Sequence, residues 1–118
     1  MEKQDALNAL GALAHGTRLD IFRALVVFGR TGMPAGALAS QLALPAATLS
    51  FHLKELRQAG LVSARRDGRS IIYAAAFETV ESVIAYLVEN CCQAADEPCV
   101  PSSGADGEAS CAVPTHGG

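Results

Sequence analysis

Leu7, Leu10 and Leu13 recur at three-residue spacing, with Ala6 and Ala14 beside them. The pattern predicts a short amphipathic helix from about Asp5 to Ala14, whose apolar stripe needs a partner. Gly16 predicts a break after it. Thr17 is placed to cap the next helix, because a threonine hydroxyl accepts a free amide of a first turn. Leu19, Phe22, Leu25 and Val26 mark that second helix, and the run from Gly29 to Gly32 ends it. Pro34 suits a first helical turn and opens a third helix that runs through Ala37 and Leu38 to Leu42; Pro45 opens a fourth after a tight turn. In the fourth, Leu49, Leu53 and Leu56 form the apolar side. Thr48, Phe51, His52 and Glu55, with Ser50, Lys54 and Gln58 at the margins, are left to solvent or a ligand.

The period then changes. Gly60 is the natural stop of the fourth helix. Beyond it, Leu61 to Arg66 and Ser70 to Ala75 read as strands on either side of Asp67-Gly68, a dipeptide that favours a tight hairpin turn. Val80, Val83, Ile84, Leu87 and Val88 restore the helical spacing and predict a last helix from about Glu78 to Cys92. Residues 94–118 hold three prolines and four glycines, with only Val100 and Val113 as large aliphatics, too little burial to offset chain entropy. The sequence therefore predicts a folded domain over residues 1–93 and a flexible cysteine-containing tail over 94–118. The apolar stripes of the first and last helices exceed what one small core covers, which predicts a homodimer.

Charge separates along the chain. The net charge of −3 argues against a nucleic-acid partner until it is divided. Residues 1–76 hold all nine Lys and Arg against five acids, whereas residues 77–118 hold seven acids and no base. The N-terminus carries acids and no signal-like apolar core, and no stretch stays apolar for the roughly 18 residues of a membrane span, so a soluble cytoplasmic protein with no membrane partner is expected. The four cysteines all fall from Cys91 onward. In a reducing compartment such a cluster points to thiol or metal chemistry rather than a disulfide framework. It lacks the Cys-x-x-Cys spacing and the strand-helix-strand scaffold of a thiol reductase, and an enzyme is not expected.

Helix, tight turn, second helix and then a basic hairpin make a mainly α fold with a β-hairpin, the winged helix-turn-helix, in which the second helix enters the major groove of DNA. Thr48, Ser50, His52 and Gln58 are of the kind that hydrogen-bond base edges. Lys54 and Arg57 suit phosphates, and Arg65, Arg66 and Arg69 at the hairpin suit phosphate or minor-groove contact.

Four stretches resemble the ArsR/SmtB family of metalloregulators: Leu13-Ala14-His15-Gly16-Thr17-Arg18-Leu19-Asp20-Ile21-Phe22, Leu49-Ser50-Phe51-His52-Leu53-Lys54-Glu55-Leu56, Ala59-Gly60-Leu61-Val62 and Arg66-Asp67-Gly68-Arg69. The resemblance spans about residues 5–92 and is most specific at Ser-Phe-His-Leu-Lys. It implies a dimer whose first and last helices pack together, an operator with inverted half-sites, and release of DNA when an inducer binds. One departure lies at Pro45-Ala46-Ala47, where many relatives place polar residues.

The family's inducer sites differ in place. The third helix, Ala35-Gly36-Ala37-Leu38-Ala39-Ser40-Gln41, lacks the cysteines of one arsenic-sensing class. Residues 78–90 lack the histidines and aspartates of zinc sensors. Cys91 and Cys92, with Cys99 as a third sulfur, resemble the arsenic repressors that carry vicinal cysteines at the end of the last helix. The resemblance implies trivalent arsenic or antimony as inducer, soft species that prefer thiolates, with no permanently bound cofactor. Cys111 and His116 have no assigned place. Oxidation of the thiols, or a soft divalent ion such as cadmium, is the alternative signal for the same fold.

Overall fold

A computed structural model of the chain describes residues 1–94. The elements run α1 (Lys3–Leu13), α2 (Gly16–Phe28), β1 (Met33–Pro34), α3 (Ala35–Leu42), α4 (Ala46–Gln58), β2 (Val62–Asp67), β3 (Ser70–Ala75) and α5 (Phe77–Leu87). The three strands form one antiparallel sheet in the order β1-β3-β2. This is the expected mainly α fold with a β-hairpin, a helix-turn-helix followed by a wing. The chain divides into two compact units inside α5, one from Met1 to Glu81 and a second from Ser82 onward. No helix among the described residues is long and apolar enough to cross a membrane.

The core of the first unit is made by Ile21, Leu25, Leu38, Leu49, Leu53, Leu56 and Leu61, all fully buried. Three of these are the predicted apolar side of α4. On α1 the outcome is different: Ala6 and Ala9 are buried, whereas Leu7 and Leu10 are 53% and 40% exposed. The small side chains face inward and let α1 lie close, so the leucine stripe is left on the surface. The second helix is likewise turned, with Ile21 in the core and Leu19 and Val26 outside.

Several expected boundaries move. The first helix begins at Lys3, because Asp5 sits in its first turn and accepts the Glu2 backbone N–H at 3.2 Å. Thr17 is not a cap. The cap position belongs to His15, whose extended backbone precedes a helical Gly16 and whose carbonyl accepts the Leu19 N–H at 2.9 Å. Pro34 stands one residue before α3, and with Met33 it forms an edge strand paired to Tyr73 and Ile72, an element too short to show a period.

The end of α4 fulfils the expectation for Gly60. Its N–H reaches the Arg57 carbonyl at 2.9 Å while the Leu61 N–H reaches Leu56 at 2.9 Å, the paired bonds of a Schellman motif. The hairpin forms as predicted but turns one residue later. Asp67 pairs with Ser70, so the two loop residues are Gly68 and Arg69. Only Gly68 there is left-handed, at φ +67°, as a turn with glycine first requires.

The last helix stops at Leu87, short of the expected Cys92. The chain then turns through shorter bonds, Glu89 N–H to Tyr86, Cys91 N–H to Val88 and Gln93 N–H to Asn90, with left-handed backbone at Asn90 and Cys92. No basic residue in the last turn holds the terminal carbonyls, and asparagine tolerates the left-handed region that ends helices. Apolar spacing through Val88 carries no signal of that stop.

Candidate nucleic-acid interface and thiol pair

A helix advances about 100° per residue, so α4 can be unrolled from its buried side. Leu49, His52, Leu53 and Leu56 face inward. The opposite ridge carries Ala47, Phe51 and Lys54, with Ser50 and Arg57 on one flank and Thr48 on the other, every one of them exposed. Hydroxyl groups thus lead the ridge near its N-terminus, and cations follow one and two turns later. Gln58 is exposed but lies three turns from Thr48, where it borders a groove of about 420 Å³ with Leu7, Asn8, Gly11, Ala12, Arg18, Glu55 and Ala59.

His52, expected on the solvent side, turns inward. It is 8% exposed, its Nδ1 has no hydrogen-bond partner, and its ring lies 4.9 Å from the His15 ring. Burial above all, then the nearby His15 and Arg18, holds its pKa below the usual histidine value, against a smaller opposing pull from Glu55. It packs inward with Leu49, Leu53 and Leu56 rather than standing on the exposed ridge with Phe51. Arg18 approaches Glu55 across the same packing at 3.9 Å.

At the wing, Arg65, Arg66 and Arg69 are all exposed. Alternation along β2 sends Arg65 and Arg66 to opposite faces of the hairpin, and Arg69 sits in the turn itself. Arg65 is the anchored one: its Nη2 donates to the Thr31 carbonyl at 2.9 Å, which fixes the guanidinium beside the chain entering β1. Sequence pattern could not reveal that contact, since it joins residues 34 positions apart.

The sulfurs of Cys91 and Cys92 lie 3.0 Å apart, both residues half-buried, in the turns after α5 rather than on the helix. Helical spacing therefore does not place them; the left-handed backbone at Asn90 and Cys92 does. Among the described residues no group of three or more His, Cys, Asp or Glu side chains could hold a metal ion. Two thiols on one side of a turn can hold a soft atom between them, and a third donor would come from elsewhere. Cys99, Cys111, His116 and the predicted tail from residue 95 lie outside the described residues.

Known proteins align with this arrangement. A helix-turn-helix domain family matches residues 13–64. The transcriptional regulator CmtR of Mycobacterium tuberculosis is 38% identical over 109 residues, 91% of this chain and 90% of CmtR. The nodulation protein NolR of Rhizobium meliloti is 38% identical over 82 residues, 70% of this chain but only 65% of NolR. Among solved structures, an ArsR-like transcriptional regulator from Rhodococcus sp. RHA1 superposes with a TM-score of 0.66 at 28% identity, over 79% of this chain and 84% of that one. A homodimeric winged helix-turn-helix DNA-binding domain from Mycobacterium bovis, a possible ArsR-family regulator, gives 0.60 at 29% identity, over 80% and 81%. A possible transcriptional regulator for arsenical resistance gives 0.58 at 27% identity, over 68% and 80%.

Proposed function

The chain belongs to the ArsR/SmtB family of winged-helix transcriptional regulators, and from that premise we propose that it is a repressor that grips operator DNA as a homodimer and lets go when trivalent arsenic or antimony binds Cys91 and Cys92. It is a regulator of transcription and not an enzyme. The observation that carries the inducer reading is the 3.0 Å approach of the two sulfurs, on the segment that leaves the DNA-reading unit through α5. Arsenic and antimony in the trivalent state are soft and take thiolates in preference to oxygen or nitrogen donors. Each thiol proton leaves with one hydroxyl of arsenite or antimonite as water, so an As–S or Sb–S bond replaces an As–O or Sb–O bond with no net release of protons. Cys99 is the proposed third sulfur. The likeness to a possible arsenical-resistance regulator supports the same inducer.

Each recognition helix, α4, enters a major groove of the operator. Thr48 and Ser50 meet base edges, Lys54 and Arg57 meet phosphates, and the wing arginines Arg65, Arg66 and Arg69 hold the flanking backbone. A protein acting on a chromosomal operator works in the cytoplasm. Phosphate contacts release counterions, which gives the first test. Arg66→Ala removes one contact per protomer and should flatten the dependence of log affinity on log salt by about 1.8 in the dimer. A slope equal to the wild type's would take Arg66 out of the interface.

Dimerisation follows from two exposed apolar faces. Leu7 and Leu10 stand out from α1, and Ile84 and Leu87 are 50% and 60% exposed on α5. Burying them against a second copy would give a homodimer, the state named for the similar domain from Mycobacterium bovis. Leu87→Glu should halve the mass seen by sedimentation equilibrium and weaken operator binding by roughly a hundredfold, because the two half-sites lose their linkage. A variant that stays dimeric would move the interface elsewhere.

The sulfur contact also favours a second reading, a thiol redox sensor. Two adjacent thiols can pass two electrons and two protons to a peroxide and close a disulfide. Release of DNA by peroxide in the absence of any metalloid would select it. Cadmium is the alternative ligand of the same sulfurs.

A further inference from the structure

Phe51 stands 56% exposed on the crest of α4. Its neighbours on that ridge are Ala47, Thr48, Ser50 and Lys54, all exposed. A lone aromatic ring amid hydroxyl groups and a cation does not make the contiguous apolar patch of a protein-docking surface. It does match the floor of a major groove, where the only apolar group among the donors and acceptors of the base edges is the C5-methyl of thymine. The ring is also held in place. Its centroid lies 5.3 Å from that of His52 at an interplanar angle of 67°, an edge-to-face contact, and the buried His52 ring rests in turn 4.9 Å from His15. Buried packing thus braces an exposed reader.

Given that α4 enters the operator's major groove, we propose that Phe51 is a specificity-determining residue that reads a thymine methyl in each half-site. Thr48 and Ser50 on the flanks would then select by hydrogen bonds and Phe51 by apolar contact. This reading also offers base discrimination from the middle of the helix, where Ala46 and Ala47 leave its first two positions without hydrogen-bonding side chains.

The test uses the reduced full-length dimer and duplexes recovered from a random-sequence pool by rounds of binding. Each thymine of the recovered site is replaced in turn by deoxyuridine, which lacks only the methyl. Wild-type protein should lose about fourfold in affinity at one thymine per half-site, the worth of about 0.8 kcal/mol for one buried methyl, and about fifteenfold when both symmetric positions are changed. Phe51→Ala should bind thymine and deoxyuridine duplexes alike at those positions. Phe51→Leu should keep part of the preference. Because the side chain is exposed, the alanine variant should keep the wild-type circular dichroism spectrum and melting curve.

Equal binding of every deoxyuridine duplex by the wild type, with sequence preference otherwise intact, would overturn the role of Phe51 and leave the operator-binding reading standing. A thymine preference that survives in Phe51→Ala would also overturn it. Failure to enrich any sequence from the pool would overturn both readings together.

Discussion

Serine at Cys91 or at Cys92 should leave operator affinity at the wild-type level and abolish release by arsenite. The replaced sulfurs lie in the turns after α5, outside the unit that contains α4 and the wing, so the DNA-reading surface keeps its residues. A hydroxyl is nearly isosteric with a thiol but is a hard donor, and a soft trivalent ion gains little from it. Coupling between two ligands of an allosteric protein is commonly about 1–3 kcal/mol, which sets the expected wild-type loss of operator affinity at roughly 5- to 150-fold under saturating arsenite. In either serine variant that factor should fall to one. By reciprocity, operator DNA should weaken arsenite binding to the wild type by the same factor, a relation that calorimetry with and without DNA checks. Cys99→Ser separates the stoichiometries: arsenite, which takes three sulfurs, should release DNA less well, whereas a monomethylated arsenical needs only two and should act as before. Serine variants that lose DNA binding, or that still respond to arsenite, would count against the assignment.

The largest expected effect on folding comes from Gly32→Ala. Gly32 has φ +72° and turns the chain into β1, where Met33 is buried and pairs with Tyr73. A methyl group there would overlap the Tyr73 carbonyl oxygen and come within 2.9 Å of Ile72 Cγ2. The left-handed conformation costs a non-glycine residue about 1–2 kcal/mol, and forcing atoms into an occupied space costs about 1–3 kcal/mol more. The expected loss is about 3 kcal/mol, or roughly 15 °C in melting temperature for a domain of this size. Melting should be compared at fixed protomer concentration, since a dimer's stability depends on it. Gly36→Ala is the control of opposite sign: Gly36 sits in α3 with open space around it, and alanine there should stabilise by up to about 1 kcal/mol. Displacing Gly32 also disturbs the Thr31 carbonyl that anchors Arg65, so the alanine variant should bind DNA more weakly even where it is folded. A Gly32→Ala protein that melts with the wild type would show that the entry into β1 is not built as described.

Features set by local chemistry were legible in the sequence. The leucines at Leu49, Leu53 and Leu56, the stop at Gly60 and the two strands around Gly68 depend on periods and on turn residues a few positions apart. Features set by packing were not. His52 stands three residues after Leu49 and four before Leu56, so spacing alone allows it the inward side; its polarity argued for solvent, and its packing against His15 and Phe51 turns it inward. On α1, leucine outranks alanine as a core residue by hydrophobicity, yet a helix lying close to its neighbours buries Ala6 and Ala9 and leaves Leu7 and Leu10 exposed. The two-residue β1 has no period to read. The end of α5 escaped because Val88 continues the apolar spacing while Asn90 and Cys92 have already left the helical backbone. For the candidate site, residue types were readable, as with the wing arginines and the adjacent cysteines, whereas the anchoring of Arg65 and the meeting of the sulfurs needed the fold.

Fluorescence anisotropy of labelled promoter DNA carrying the reduced protein, titrated with arsenite at fixed salt, tests thiol-triggered release most directly. Anisotropy should fall to that of free DNA near one equivalent of arsenite per protomer, with antimonite acting similarly and excess thiol chelator restoring the complex. DNA that stays bound through excess arsenite, antimonite and cadmium would contradict metalloid control by Cys91 and Cys92.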